Sequence, residues 1–204
     1  MGLYADRLLP RVVDIALGRH TDPVRARVAS GLRDQVLEVG FGSGRNLPHL
    51  PAEVTRLVAV DPAVHGRRLA AKRLAASPVP VKFVGLDGQA LPLEDESVDH
   101  VLVTWTLCTI PNVGQALGEL HRVLRPGGSL HFVEHGRSPN PRTARRQERV
   151  SPWWGKLAGG CRLDRDIPAI IAAAGFVTDD VQTYRLSSPE LVGRTYEGVA
   201  LKPA

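Results

Sequence analysis

Three glycines and two acidic side chains stand where the chain could bind a small ligand. The glycines alternate with other residues directly after the apolar run 36–39, at Gly40, Gly42 and Gly44. Such a run is typical of a strand buried on both faces, and a glycine turn after it lets a flat polar ligand approach the main chain. Glu38 lies within the run, and Asp61 ends the next apolar run, 21 residues after Gly40. An acid at that distance binds ribose hydroxyls in nucleotide-binding folds, so the pattern predicts a nucleoside site.

The spacing of the glycines favours a nucleoside without phosphates. A dinucleotide site has the pattern G-x-G-x-x-G, whereas here Arg45 stands at the place of the last glycine. Glu38 would repel a pyrophosphate but suits a cation. S-adenosylmethionine carries an ammonium and a sulfonium and no phosphate, so we expect it to be the cofactor. A nicotinamide-dependent oxidoreductase is the alternative that these two residues count against.

Longer motifs carry a resemblance to a known family. E-V-G-F-G-S-G-R-N at 38–46, D-G-Q-A-L-P at 87–92 and L-H-R-V-L-R-P-G-G at 120–128 resemble class I S-adenosylmethionine-dependent methyltransferases. T-L-C at 106–108, E-H at 134–135, G-C at 160–161 and Y-E-G-V-A at 196–200 are similar to the type 11 methyltransferase family that contains thiol S-methyltransferases and phospholipid-methyltransferase-like proteins. The chain lacks the hydrophobic N-terminal anchor of that family's membrane-bound members, so the acceptor is not carried over from them.

The resemblance implies a set of cofactor-binding residues. Asp61 would bind the ribose, and Asp87 would accept a hydrogen bond from the adenine amino group. The expected set is Glu38, Gly40, Phe41, Gly42, Gly44, Asn46, Asp61, Pro62, Asp87, Gly88, Gln89, Thr104 and Trp105. The fifth predicted strand, 129–133, delivers Glu134 and His135 to the ligand edge of the sheet, and we expect His135 to be the catalytic residue if a base is needed.

The elements that position these residues follow from hydrophobic periodicity. Five strand-and-helix units, starting at the run 36–39, precede two further strands at 176–186 and 194–201. The fold class predicted is α/β, a Rossmann-like doubly wound seven-stranded sheet that is mostly parallel with an antiparallel last strand. The resemblance implies that residues 1–34 form an N-terminal helical lid in which Tyr4 contacts the cofactor, and that residues 35–204 form the methyltransferase domain.

Composition limits the compartment and the metal chemistry. The 204 residues are 43% hydrophobic, with no apolar run long enough to span a bilayer and no signal-peptide pattern, so we expect a cytoplasmic protein. Cys108 and Cys161 are the only cysteines. They lack metal-ligand spacing and are too few for a disulfide framework, so they are interpreted as small buried residues and no metal is expected.

Positive charge is concentrated in residues 137–162, here called the basic segment. It carries +6, whereas the whole chain carries +5. A solvated helix face, peripheral contact with an anionic membrane, and binding of nucleic acid or an acidic substrate all fit such a segment. Aromatic residues make up only 5% of the chain, which counts against stacking on bases and hence against a nucleic-acid methyltransferase.

The predicted reaction is in-line methyl transfer from S-adenosylmethionine to a small-molecule acceptor. The methyl donor is already activated, so positioning can supply much of the catalysis. A thiol acceptor would react as its thiolate, helped by nearby positive charge from His135 or the basic segment. A lipid amine or a phenolic oxygen is the alternative acceptor, and an oxygen would need a base, with His135 the first choice.

Overall fold

A single seven-stranded sheet forms the centre of the computed structural model, which describes residues 9–62 and 64–204. The strand order is β3-β2-β1-β4-β5-β7-β6. The strands are β1 (Asp34–Val39), β2 (Val54–Val60), β3 (Val81–Gly85), β4 (Val98–Thr104), β5 (Leu124–His135), β6 (Val177–Arg185) and β7 (Arg194–Leu201). β1 pairs in parallel with β2 and β4, whereas β7 is antiparallel to both of its neighbours, β5 and β6. The predicted fold class is confirmed.

The described residues contain seven helices, of which α1 and α2 precede the first strand and the other five lie between strands. They are α1 (Leu9–Ala16), α2 (Asp22–Ala29), α3 (Val64–Ala76), α4 (Val113–Val123), α5 (Pro141–Leu157), α6 (Ile167–Ala173) and α7 (Glu190–Gly193). Short 3-10 turns cover Arg19–Thr21 and Leu47–His49. The second turn replaces a longer helix after the glycines because prolines at 48 and 51 interrupt the pattern.

Alternate residues of the central strands point into two apolar layers. On one face Leu37, Val39 and Val101 pack with α4 and α6. On the other face Val36 and Leu57 pack with α2 and α3. Burial on both faces is the reason that these strands read as continuous apolar runs.

The structure refines two element boundaries. The first described helix, α1, begins at Leu9, and Tyr4 lies outside the described residues. The fifth strand, predicted over 129–133, begins already at Leu124. The P-G-G turn therefore lies inside a paired strand rather than between a helix and a strand. Among residues 9–62 and 64–204, no helix is both long enough and apolar enough to cross a membrane.

Candidate active site

A cavity of about 1000 Å³ opens at the carboxyl edge of β1, β2 and β4. This edge is where the strand order changes direction, the usual place for a ligand in an open α/β sheet. Ten of the thirteen expected cofactor residues line it, namely Gly40, Phe41, Gly42, Asp61, Pro62, Asp87, Gly88, Gln89, Thr104 and Trp105. The structure therefore brings together segments separated by up to 65 residues of chain.

The glycine turn could not carry side chains at its first position. Gly40 has φ 84°, and a Cβ there would lie 1.9 Å from Thr106 Oγ1. Gly42 has φ 55°, and its amide donates a 2.6 Å hydrogen bond to Asp61 Oδ2. Asp61, which follows β2, thus anchors the glycine turn and also lines the cavity. One carboxylate both orders the glycines and faces the ligand space.

A buried polar network lies behind the turn. Asn46 Nδ2 donates to Glu38 Oε1 at 2.7 Å and to Thr104 Oγ1 at 3.1 Å. Arg25 Nη1 donates to Asn46 Oδ1 at 2.7 Å, and its guanidinium lies 4.8 Å from the centre of the Trp105 ring. Glu38 and Asn46 do not themselves line the cavity, so the structure places them beneath its wall. They hold in place the residues that do.

Burial changes the protonation of this network. The pKa of Glu38 is raised to about 8, because burial disfavours its charge more than Asn46 and Arg25 favour it. Burial likewise lowers the pKa of Arg25 to about 10. Glu38 Oε2 is buried and, among the residues that the structure describes, has no hydrogen-bond partner. A cation bound in the cavity would favour the ionised form of this acid, so the network is compatible with the positively charged end of S-adenosylmethionine.

The turn after β3 supplies an exposed acid at the far side of the cavity. Asp87 Oδ1 accepts hydrogen bonds from the Gln89 amide at 2.8 Å and from Gln89 Nε2 at 3.1 Å. These hydrogen bonds, the backbone one first, lower the pKa of Asp87, so it is ionised at neutral pH. Gln89 Oε1 accepts in turn from the Asn112 amide at 2.9 Å, which ties this turn to the start of α4.

The two residues at the end of β5 differ in position. Glu134 is fully buried and accepts the amides of Thr106, Leu107 and Cys108 at 2.7 to 3.1 Å. Burial raises its pKa to about 7 against these three hydrogen bonds. His135 does not line the cavity, and its ring centre lies 6.5 Å from that of Trp105, which does. Glu134 is therefore an anchor for the loop after β4, and no direct contact of His135 with the cavity is seen.

Several cavity residues were not expected from the sequence. Arg25 lies on the buried side of α2 with Val24 and Val28. The sequence could have indicated a buried role for this arginine, because it stands among the apolar residues of that helix face. Asp14 on α1 binds Arg45 at 2.8 and 2.9 Å and also accepts from Ser43. Thr106 and the turn 158–160 also line the cavity; Thr106 and Gly160 belong to the T-L-C and G-C motifs, whereas no sequence signal marked Ala158 and Gly159. Gly44 and His135 are the remaining expected residues outside the wall.

The basic segment does not reach the cavity through its arginines. Arg142, Arg145, Arg146 and Arg149 are exposed along α5, and Arg162 pairs with Asp164 at 2.9 Å. None of them lines the wall. For the arginines on α5, the interpretation as a solvated helix face agrees with the structure. The geometry does not support the expectation that these arginines stabilise a thiolate acceptor in the cavity.

Comparison with known proteins agrees with this geometry. Residues 37–132 match the family model described as a methyltransferase domain. The chain is 31% identical over 174 residues to human thiol S-methyltransferase TMT1A, covering 82% of this chain and 70% of the relative. It is 32% identical over 145 residues to rat thiol S-methyltransferase TMT1B, covering 69% of this chain and 59% of the relative. The chain thus spans little more than half the length of the rat relative.

A solved structure shows the same fold. The putative methyltransferase of Haloferax volcanii, determined in complex with the Trm112 methyltransferase activator, aligns with a TM-score of 0.73. The alignment covers 98% of this chain and 96% of that one at 18% identity. With a methyltransferase-domain match across the glycine turn and a 31% identical relative along most of its length, this chain belongs to the class I S-adenosylmethionine-dependent methyltransferases, and S-adenosylmethionine is its methyl donor.

Proposed function

We propose that the enzyme transfers the methyl group of S-adenosylmethionine to the sulfur of a small-molecule thiol. One observation carries the choice of acceptor. The ionisable side chains in the cavity wall are only acids and arginines, namely Asp14, Arg25, Arg45, Asp61 and Asp87. Within the part of the chain that the structure describes, no histidine, lysine, cysteine or tyrosine lines this cavity.

A wall in which the described residues include no histidine, lysine, cysteine or tyrosine suits an acceptor that ionises by itself. A thiol with a pKa near 8.5 is ionised to about a tenth at pH 7.5, whereas a phenol with a pKa near 10 is ionised to less than about a hundredth. An ordinary alkyl amine is protonated at that pH and would have to lose a proton before it could attack. The thiol is therefore the acceptor that needs least help from the protein. The similarity to two thiol S-methyltransferases supports the same choice.

The cavity lining contains polar groups that suit the cofactor and apolar groups that suit the acceptor. The carboxyl edge of β1, β2 and β3 offers the glycine turn, Asp61 and Asp87 to the cofactor. Bound there, S-adenosylmethionine supplies a methyl group on a sulfonium, which is already an activated electrophile. Apolar side chains also line the cavity, namely Leu9, Val13, Leu17, Ile110 and Ala158. We assign them to an apolar acceptor, whose orientation they would fix.

The arginine in the wall could favour the reactive form of the acceptor. Arg25 is buried and donates hydrogen bonds to the uncharged side chains of Thr21, Asn46 and Thr104. A cation bonded to neutral groups in a buried wall favours an anion near it. It would act either on the carboxylate of the cofactor or on the thiolate of the acceptor.

We also propose that residues 1–34 form a lid over a methyltransferase domain at 35–204. Asp14 of α1 is bound to Arg45, next to the glycine turn, and Leu9 and Val13 of the same helix face the cavity. A helix held in this way separates the acceptor from water. A small-molecule acceptor enclosed by a lid fits this arrangement better than a nucleic acid does.

The acceptor assignment is tested with three matched compounds. An apolar alkyl or aryl skeleton is supplied as its thiol, its alcohol or phenol, and its amine, with S-adenosylmethionine in excess. Formation of S-adenosylhomocysteine is measured, and the methylated product is identified by mass spectrometry. We expect the thiol to be methylated at least about 100 times faster than the other two. Equal or faster methylation of the oxygen or nitrogen compound would overturn the proposal.

A further inference from the structure

Two thiols and an imidazole meet behind the wall of the cavity. Cys108 Sγ lies 3.7 Å from Cys161 Sγ, which lies 3.8 Å from His135 Nδ1. All three ligand atoms are within 4.8 Å of one another. The residues are 26 and 27 positions apart along the chain, so no short metal-binding motif marks them. Only the fold brings them together.

Two of the three donor separations are close to those of a tetrahedral zinc site. Two Zn–S bonds of about 2.3 Å at a tetrahedral angle place the sulfurs about 3.8 Å apart. A Zn–S and a Zn–N bond of about 2.0 to 2.1 Å place sulfur and nitrogen about 3.5 to 3.6 Å apart. Cys161 Sγ is 3.7 Å from Cys108 Sγ and 3.8 Å from His135 Nδ1, close to these values. The third pair, Cys108 Sγ and the His135 ring nitrogen, lies within 4.8 Å, and a side-chain rotation would bring it to the bonding distance.

The three ligands come from segments that are already fixed. His135 ends β5, a central strand. Cys108 lies in the loop whose amides Glu134 accepts, and the Arg162 amide donates to the Cys108 carbonyl at 2.8 Å, which joins that loop to the segment of Cys161. A metal ion would therefore enter a preformed set of donors without moving the backbone.

Charge balance also favours an ion of this type. Cys108 and Cys161 are 1% and 5% exposed, so a lone thiolate would be poorly solvated there. Two thiolates, one neutral imidazole and a divalent cation have no net charge. Metal binding would release the two thiol protons to solvent and leave one tetrahedral position for water or another ligand. Thiolate sulfur and imidazole nitrogen are donors that zinc prefers, whereas magnesium and calcium prefer oxygen donors.

We propose that Cys108, His135 and Cys161 bind a zinc ion that fastens the acceptor side of the cavity. Thr109 and Gly160, the neighbours of the two cysteines, line that cavity. A Cβ on Gly160 would lie 2.9 Å from the Thr109 carbonyl oxygen, so the two segments are in close contact there. The ion would tie both segments to the end of β5 and so fix the distance between the two loops. His135 would then act as a ligand rather than as a base.

The test uses Co²⁺ as a spectroscopic substitute for zinc. The whole chain is purified under reducing conditions, stripped with a chelator and titrated with Co²⁺. We expect one equivalent to produce a thiolate-to-cobalt charge-transfer band in the near ultraviolet and the visible bands of a tetrahedral ion. One equivalent of Zn²⁺ should abolish both. This readout does not require methyltransferase activity, so it is independent of the proposed acceptor.

Variants identify the ligands. Cys108→Ser, Cys161→Ser and His135→Gln should each weaken Co²⁺ binding by more than the roughly 10- to 100-fold typical of a residue outside the coordination sphere. His20→Gln is the control, because His20 is exposed and is not among the three ligands. Failure of the reduced wild-type chain to give either cobalt band would overturn the proposal, whatever the variants do. So would a tetrahedral spectrum that survives unchanged in Cys161→Ser.

Discussion

Asp61 is the side chain on which cofactor binding should depend most. It anchors the glycine turn through the Gly42 amide and also lines the cavity. Hydrogen bonds to a charged group contribute about 1.5 to 3 kcal/mol each. We therefore predict that Asp61→Ala weakens binding of S-adenosylmethionine by at least about tenfold, measured by calorimetric titration. Asp95→Ala is the control, since that acid is exposed and pairs with Arg122 at the surface; equal affinity in the Asp61 variant would refute the assignment.

Glu38 should make the stability of the fold depend on pH. Its pKa is about 8 in the folded protein and near 4.5 in the unfolded chain, so between these values the folded state holds a proton that the unfolded state has lost. Its contribution to the free energy of unfolding is therefore greatest at low pH and falls as pH rises toward 8. We predict that Glu38→Gln makes this decline shallower, by up to about 1.4 kcal/mol per pH unit. Denaturant unfolding at pH 5, 6, 7 and 8 measures it, and parallel curves for the two proteins would contradict the prediction.

At the scale of elements, α1 is held over the cavity by the polar contacts of Asp14. Asp14 binds Arg45 through two hydrogen bonds and also accepts from Ser43. Although burial opposes it, these contacts lower the pKa of Asp14, so the pair is ionised at neutral pH. We predict that Asp14→Ala speeds amide hydrogen exchange in residues 9–17 by roughly tenfold or more. Ile15→Ala is the matched control, because Ile15 is 77% exposed on the same helix; equal exchange in both variants would show that the contact does not hold α1.

The loop after β4 depends on β5 in a similar way. Glu134 accepts hydrogen bonds from three successive backbone N–H groups of that loop. Its carboxylate therefore takes the place of the backbone carbonyls that would pair with these groups in regular secondary structure. Glu134→Gln replaces one carboxylate oxygen with an NH₂ group, which would face the backbone N–H groups of the loop. We therefore predict a loss of about 2 to 3 kcal/mol in the free energy of unfolding. Glu94→Gln, at a solvent-exposed residue, is the control. A loss below about 0.5 kcal/mol in chemical denaturation would contradict this role.

On the scale of the whole molecule, the sequence predicted what depends on local pattern. The fold class follows from apolar runs separated by helical periodicity, and most cofactor residues follow from glycines and acids at strand ends. What it did not predict depends on contacts between distant segments. Arg25 reaches the cavity only because α2 packs against β1, and Cys108 meets Cys161 only because two loops lie against each other. The burial of Glu38 and Asn46 beneath the wall is likewise a result of packing.

In the proposed reaction the acceptor thiol ionises without transferring its proton to a side chain of the enzyme. The most direct measurement is the pH dependence of kcat/KM for three thiols that share an apolar skeleton and differ in pKa. If the thiolate forms by itself, the midpoint of each profile should move with the pKa of the thiol. A midpoint that stays at one pH for all three thiols would show that a group of the protein removes the proton, and absence of a methyl thioether product would contradict the account altogether.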